Sequence, residues 1–402
     1  MSAAANKTKF SLKVLPKQFW FIVLGIILLL FFFWYLSTRR QTFLSPLGEG
    51  NILSYLTGNK VQVIGFLPYW NINEELETDF SAIDQLMYFG LIVGEDGMLI
   101  RQENGETEPG WYRLKNSRKL KQIMANAKKQ NKKVLLTIIC FDPDVTDIVV
   151  SDPLIRENLI SEIVAIVGEY DFDGVDIDFE YFPSDDNIPD FGSRFNQFLS
   201  LLKNRLSAEN KKSILSVDIY PRAFIYDWPY ELQEMGKIVD QVIIMAYDFT
   251  QRGSSVSGPV APIKGESENE MSIVKTLQAS LNQVDHRKLI LGIPLYGYEW
   301  RTVSDEYKSI AYPGSGVTAS YERVSELIKE EEVDIKWDDK AFSPWLVYEK
   351  NGTISQIYFD DLKSISLKIE LVRQLNLGGV AFWALGYEDQ DPDFWKTLKK
   401  KL

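Results

Sequence analysis

The sequence predicts an α/β protein built as a (β/α)8 TIM barrel, and three observations lead there. Eight short apolar runs with strand character recur between residues 61 and 384, and helical stretches separate most of them. The chain has 402 residues, 45% of them hydrophobic, enough for one large core. A barrel of this kind needs about 250 residues before insertions, so one elaborated barrel fits the length.

The expected strands are Val61–Leu67, Gln85–Val93, Lys133–Ile139, Gly174–Phe179, Ile214–Tyr220, Gln241–Tyr247, Leu289–Pro294 and Gly379–Ala384. Among the expected helices are Ser117–Gln130, Pro153–Tyr170, Asp190–Ser207 and Ile365–Asn376, the last stopped by Gly378-Gly379. The link between the seventh and eighth strands is too long for a simple crossover. Residues about 300–362 contain a charged helix, Tyr321–Glu332, and two strand-like pieces, Trp345–Glu349 and Ile354–Phe359, joined through Asn351-Gly352. Asn-Gly is a hairpin signal, so a small α+β insertion on the barrel rim is expected. Trp300, Trp337 and Trp345 are assigned to its core.

The N-terminus carries a different signal. Phe19 to Leu36 is apolar without one charge, and as a helix it spans about 27 Å, close to the hydrocarbon thickness of a bilayer. It exceeds a signal-peptide core in length and ends in Trp34, Tyr35 and Arg39-Arg40 rather than at small residues. One transmembrane signal-anchor over 19–36 is therefore expected, with a tether over 37–60 and the barrel over 61–402. Lys7, Lys9, Lys13 and Lys17 precede it against two arginines after it, which places residues 1–18 in the cytoplasm and the barrel at the cell surface.

Composition excludes several function classes. The net charge is −12 with no basic patch, which argues against nucleic acid. The single cysteine, Cys140, cannot form an intramolecular disulfide and reads as a buried, inert thiol. The single histidine, His286, reads as a loop residue; it argues against a Ser-His-Asp triad and excludes a His-rich zinc site.

The chemistry concentrates in Asp173-Gly-Val-Asp-Ile-Asp-Phe-Glu180. Strand side chains alternate faces, so Asp176, Asp178 and Glu180 share one face while Val175, Ile177 and Phe179 share the other. In a barrel the apolar set meets the helices, and the three carboxyls line the interior toward the C-terminal mouth, where TIM-barrel active sites lie. No lysine or arginine lies within the strand to neutralise them. A calcium loop is argued against by the apolar spacers. Crowded buried carboxyls share protons, which raises one of them into the range of a general acid. Glu180, nearest the mouth, is the expected proton donor.

These residues resemble the DGxDxDxE signature of glycoside hydrolase family 18, the chitinase-type barrel. Met245-Ala246-Tyr247-Asp248 resembles the family's MxYD motif, and Gly378-Gly379-Val380-Ala381-Phe382-Trp383 its terminal GGxxxW. Gly292 to Trp300, Ile357 to Asp361 and Ser364 to Lys368 resemble most closely the bacterial spore-germination, cortex-lytic branch. The resemblance implies substrate-assisted retaining catalysis on an N-acetylglucosamine glycan, peptidoglycan ahead of chitin, with no metal or cofactor. It assigns proton donation to Glu180, stabilisation of the acetamido group to Asp178 with Asp176 behind it, and a hydrogen bond to the acetamido oxygen to Tyr247. Asp248, Trp383, Tyr69 and Met245 are the expected substrate contacts; Met245, Trp383 and Tyr69 also suit barrel packing. A non-catalytic glycan-binding barrel is the reading from another class. One departure stands out: where the family's third strand often ends in SxGG, this one reads Thr137-Ile138-Ile139-Cys140.

Overall fold

The computed structural model describes residues 61–400 apart from 74–75, 77–80, 183–189, 227, 331–332, 334 and 389–392. The expected cytoplasmic segment, transmembrane segment and tether (1–18, 19–36 and 37–60) lie outside the described residues, as do Glu331 and Glu332 of the expected charged helix. Among the described residues no helix is long and apolar enough to cross a membrane. Gly58–Leu402 forms one compact unit.

Seven parallel strands are laid down in chain order: β1 (Gln62–Pro68), β2 (Gln85–Ile92), β3 (Lys133–Cys140), β4 (Gly174–Phe179), β5 (Ile214–Ile219), β6 (Gln241–Ile244) and β7 (Leu289–Pro294). An insertion follows, with β8 (Tyr296–Thr302), β9 (Val317–Ser320), β10 (Ile335–Asp338), β11 (Ser343–Lys350) and β12 (Thr353–Tyr358). The last strand, β13 (Gly379–Trp383), then pairs with both β7 and β1 and closes the eight-stranded barrel. The expected eight strands are these eight, with ends displaced by a residue or two. The sixth differs most: it stops at Ile244, so Met245, Ala246 and Tyr247 leave the strand at the mouth.

The alternation that defines the strands also divides the interior. Ile64, Phe66, Met87, Phe89, Leu135, Ile139, Ile243, Ile290 and Ala381 form one apolar cluster. Below it, at the N-terminal end of the strands, three glutamines close a ring. Gln62 Nε2 donates to Gln85 Oε1 (3.1 Å), Gln85 Nε2 to Gln241 Oε1 (3.0 Å), and Gln241 Nε2 to Gln62 Oε1 (2.8 Å). Gln241 Nε2 also donates to Gln85 Oε1 (3.4 Å), so all three amide oxygens accept within the ring and the polar plug holds itself together. The outward faces meet the helices: Phe179, 1% exposed, stacks on Phe198 of the helix Phe191–Glu209 at 5.8 Å.

Caps set the helix starts. Asp152 accepts from Leu154 and Ile155 N–H ahead of Pro153, opening Pro153–Glu169. Asp361 and Ser364 form a capping box, so the expected helix from Ile365 begins earlier, at Leu362.

The insertion is larger than expected. It is a five-stranded antiparallel sheet, order β9-β8-β12-β11-β10, and it begins at Tyr296 rather than near residue 300. The two expected strand pieces are β11 and β12, joined by Asn351 and Gly352 at positive φ (53° and 74°), as a primed hairpin turn requires. Trp300 and Trp345 are buried in its core. Trp337 is half-buried, with the Lys363 ammonium 3.3 Å from its ring centre. The Ile357–Asp361 and Ser364–Lys368 segments meet in a fully buried ion pair, Asp360 with Lys368.

Candidate active site

Strand β4 presents its acids as the alternation predicts. Val175, Ile177 and Phe179 are at most 1% exposed on the helix side, while Asp176 and Asp178 are buried toward the interior. Glu180 follows the strand, its N–H held by Cys140 O at 3.1 Å, and its residue is only half-buried. Among the described residues, no ion pair engages any of the three.

Burial without cations decides their protonation. Asp176 is pushed up to about 6 by burial, held back by its polar neighbours Ser216, Thr137 and Asp218. The Thr137 Oγ1 contact to Asp176 Oδ2 is 3.0 Å. Thus one residue of the divergent Thr137-Ile-Ile-Cys140 segment supports the acid column directly, and Ile139 packs into the apolar cluster. Asp178 lies well above the carboxylate range, through burial and then through its neighbours Glu180 and Asp176. Glu180 is raised to about 6, first by burial and then by Asp248. A carboxyl titrating there keeps a transferable proton in mildly acidic surroundings, as a general acid must.

Tyr247 reaches this group from the segment after β6. Burial raises its hydroxyl well above its usual range, and the acids Asp218, Asp178, Glu180 and Asp248 add to the effect. The ring can sit there because β6 and β7 approach closely: a Cβ on Gly292 would lie 2.5 Å from Ile244 O and 3.1 Å from the Tyr247 ring. Asp248 stands at positive φ (57°), and its Oδ1 accepts from the hydroxyls of Tyr296 (2.5 Å) and Tyr298 (2.9 Å) on β8. The insertion therefore aims this carboxylate.

Trp383 ends β13 as one wall of an aromatic cluster. Its ring lies 4.6 Å from Phe89, 5.7 Å from Phe66 and 6.2 Å from Trp70. Trp70 is 45% exposed, leaving an apolar face open beside Trp383. Tyr69 turns elsewhere: it packs near Gly110 and Glu108 at the start of the helix Pro109–Asn116, although its ring still touches Trp70 at 4.9 Å. Met245 is buried, its N–H bound to Ile219 O. Asp176, Asp178, Glu180, Tyr247 and Asp248 are thus brought into one electrostatic group, and Tyr247 and Trp383 flank the same insertion core. Among the described residues no cluster of His, Cys, Asp or Glu could hold a metal ion. Cys140 is buried with its thiol raised by burial, and the His286 ring is tied to Asn376 O at 2.6 Å, in keeping with inert and structural roles.

The profile of the glycosyl hydrolases family 18 matches residues 52–388. The chain belongs to that family. The Bacillus subtilis protein YdhD is 31% identical over 250 residues, which cover 61% of this chain and 54% of the relative. The cortical fragment-lytic enzyme of Bacillus anthracis is 27% identical over 268 residues, 64% of this chain and 56% of the relative. The chain therefore spans about half the length of these two curated relatives. Among solved structures, the Ostrinia furnacalis Group IV chitinase superposes with a TM-score of 0.73 at 21% identity, over 85% of this chain and 98% of the other. Family 18 membership thus agrees with the motifs on β4, after β6 and on β13.

Sequence reasoning missed several residues of this candidate site. Asp218 and Ser216 on β5 reach Asp176, and the signal was available: Ile214-Leu-Ser-Val-Asp-Ile-Tyr220 alternates with the same period of two as β4. Tyr296 and Tyr298 alternate likewise on β8, but nothing local ties them to Asp248, 48 and 50 residues away.

Proposed function

We propose that the protein is a membrane-anchored glycoside hydrolase that cleaves β-1,4 linkages of N-acetylglucosamine-containing glycans with retention, acting on peptidoglycan. The single observation that carries this reading is the convergence of Asp178, Glu180, Tyr247 and Asp248 into one electrostatic group beside the Trp383 aromatic cluster at the mouth.

The arrangement suits a reaction in which the substrate supplies its own nucleophile. The Glu180 carboxyl gives its proton to the glycosidic oxygen as the bond to the anomeric carbon breaks. The 2-acetamido carbonyl oxygen attacks that carbon from the opposite side, forming an oxazolinium ion. Asp178 accepts a hydrogen bond from the acetamido N–H, while the Tyr247 hydroxyl donates to the carbonyl oxygen and fixes its line of attack. Water, losing a proton to the Glu180 carboxylate, then opens the ring and restores the starting enzyme. Asp248 binds sugar hydroxyls, and Trp383 and Trp70 offer the stacking surface.

Peptidoglycan is favoured by the relative named as a cortical fragment-lytic enzyme and by the apolar Phe19–Leu36 segment, which in our reading holds the barrel next to the wall. The same chemistry serves chitin oligosaccharides. A purely glycan-binding barrel is disfavoured by the presence of all the acids that turnover needs. The test is to incubate the full-length protein with purified peptidoglycan and with chitin oligosaccharides, and to identify the new reducing ends by mass spectrometry. N-acetylglucosamine termini from peptidoglycan are expected; release from chitin alone would move the assignment to a chitinase, and no release from either would remove it. Alkaline carbonate extraction of membranes tests the anchor, which fails if the protein leaves with the soluble fraction.

A further inference from the structure

One buried carboxyl has no task in that reaction. Asp218 lies on β5, 4% exposed, with Leu215, Val217 and Ile219 fully buried on the opposite face of the strand. The register pairs Asp176 with Ser216 and Ile177 with Val217, so Asp218 stands beside Asp178 one step nearer the mouth. No N–H or hydroxyl donor among the described residues reaches Oδ1 of Asp178 or of Asp218. Two adjacent buried acids with orphaned oxygens are tolerable only if carboxyl protons serve as the missing donors.

We propose that Asp218 is a positioning residue: it remains protonated and donates its hydrogen bond to Asp176, so that Asp178 is left to serve Glu180 and the substrate's acetamido group. The proposal rests on the reaction described above. The groups facing Asp218 are Asp176 and Asp178 from β4, Glu180 just after it, and Tyr247 from the segment after β6. None is a cation, so none favours an Asp218 carboxylate. Burial, and then the charges of Asp176 and Asp178, hold its proton well above the usual carboxylate range. The hydrogen bond between the two carboxyls acts in opposite senses on them, lowering Asp176 and raising Asp218. The geometry points the same way: Asp176 already accepts from Thr137 Oγ1 at Oδ2. Its Oδ1 has no donor of its own and is free to accept from Asp218, which leaves Asp218 as the donor.

Two substitutions in the full-length protein separate the donor from the charge. Asp218→Asn keeps a neutral donor of the same shape, and turnover of an N-acetylated oligosaccharide should stay within about threefold of the parent, with an unmoved pH profile. Asp218→Leu keeps the chamber dry but removes the donor. It should lower kcat about tenfold with little change in KM, and shift the acid limb to higher pH because Asp176 is then less acidic. The infrared difference between the parent and Asp218→Asn at neutral pH should show loss of a protonated carboxyl band. Loss of carboxylate bands instead, a pH profile displaced by Asn, or a Leu variant with parental turnover and profile would each overturn the proposal. If Asp218→Leu fails to fold, the Asn profile and the infrared band decide. The infrared reading does not depend on turnover: an inactive parent that shows the band sinks the proposed reaction while leaving the proton on Asp218, whereas an active parent without the band sinks only the role of Asp218.

Discussion

Replacing Glu180 with glutamine removes one ionisable proton and little else, so its cost can be worked from the site. Burial and Asp248 raise this carboxyl from 4.5 to about 6. At pH 7 about a tenth of the free enzyme then carries the proton, against about 0.3% for an unperturbed glutamate. That gain of roughly thirtyfold in competent enzyme is what the buried position contributes before substrate excludes further water. Glutamine retains the shape but cannot protonate the leaving oxygen, and loss of a positioned general acid costs about 10²–10⁴ in kcat. Turnover of a chitin oligosaccharide is the assay, run from pH 4 to 9. The parent kcat/KM should fall tenfold per pH unit on the alkaline side, with its midpoint near 6, and Glu180→Gln should lose this limb together with most of its rate. Oligosaccharide affinity, read by titration calorimetry, should be nearly unchanged, because the Trp383 and Trp70 surface is untouched. On an aryl glycoside whose leaving group needs no proton, the defect should shrink. A variant that keeps more than a tenth of parental turnover on the natural linkage, or one equally defective on both substrates, refutes Glu180 as the acid.

Asp178→Asn should cut kcat by about 10² or more while raising the melting temperature at neutral pH. The sign follows from the raised protonation of Asp178 in the fold: the folded state binds the proton more tightly, so the cost of burying this acid grows as pH rises above its unfolded value. The stabilisation should therefore vanish near pH 3, and calorimetry across pH checks it. Tyr247→Phe should lower kcat about 10–100-fold with little change in KM, since in the proposed reaction the hydroxyl acts on the attacking carbonyl; steady-state kinetics that move only KM would argue otherwise. Trp383→Ala should raise KM and cost about 3 kcal/mol of stability in denaturant unfolding, because Phe66, Phe89 and Trp70 all lose a ring. Gln85→Leu, at the far end of the barrel, should destabilise by about 1–3 kcal/mol, leaving Gln62 and Gln241 without their partner. Its kcat should stay parental, and a large loss of activity there would mean that the plug transmits to the mouth.

What could be read without coordinates follows from periodicity. Eight apolar runs and a period of two fixed the barrel and the inward face of β4, because a strand cannot bury Val175, Ile177 and Phe179 against helices without turning Asp176 and Asp178 the other way. The hairpin at Asn351-Gly352 was equally local, since both residues must take positive φ. The proton state of the acids, the aim of Asp248 and the service of Thr137, Ser216 and Asp218 were not local. They depend on which strands become neighbours, and β3 and β5 flank β4 only once the parallel sheet has assembled. Asp218 shares the alternation of β4, yet only register sets it beside Asp178. Tyr296 and Tyr298 reach Asp248 only because the insertion folds back over the mouth. Sequence therefore determines which side chains face inward, a property of each strand alone. Tertiary structure decides which of them meet and which keep their protons, because burial and the distances between charges belong to the closed barrel.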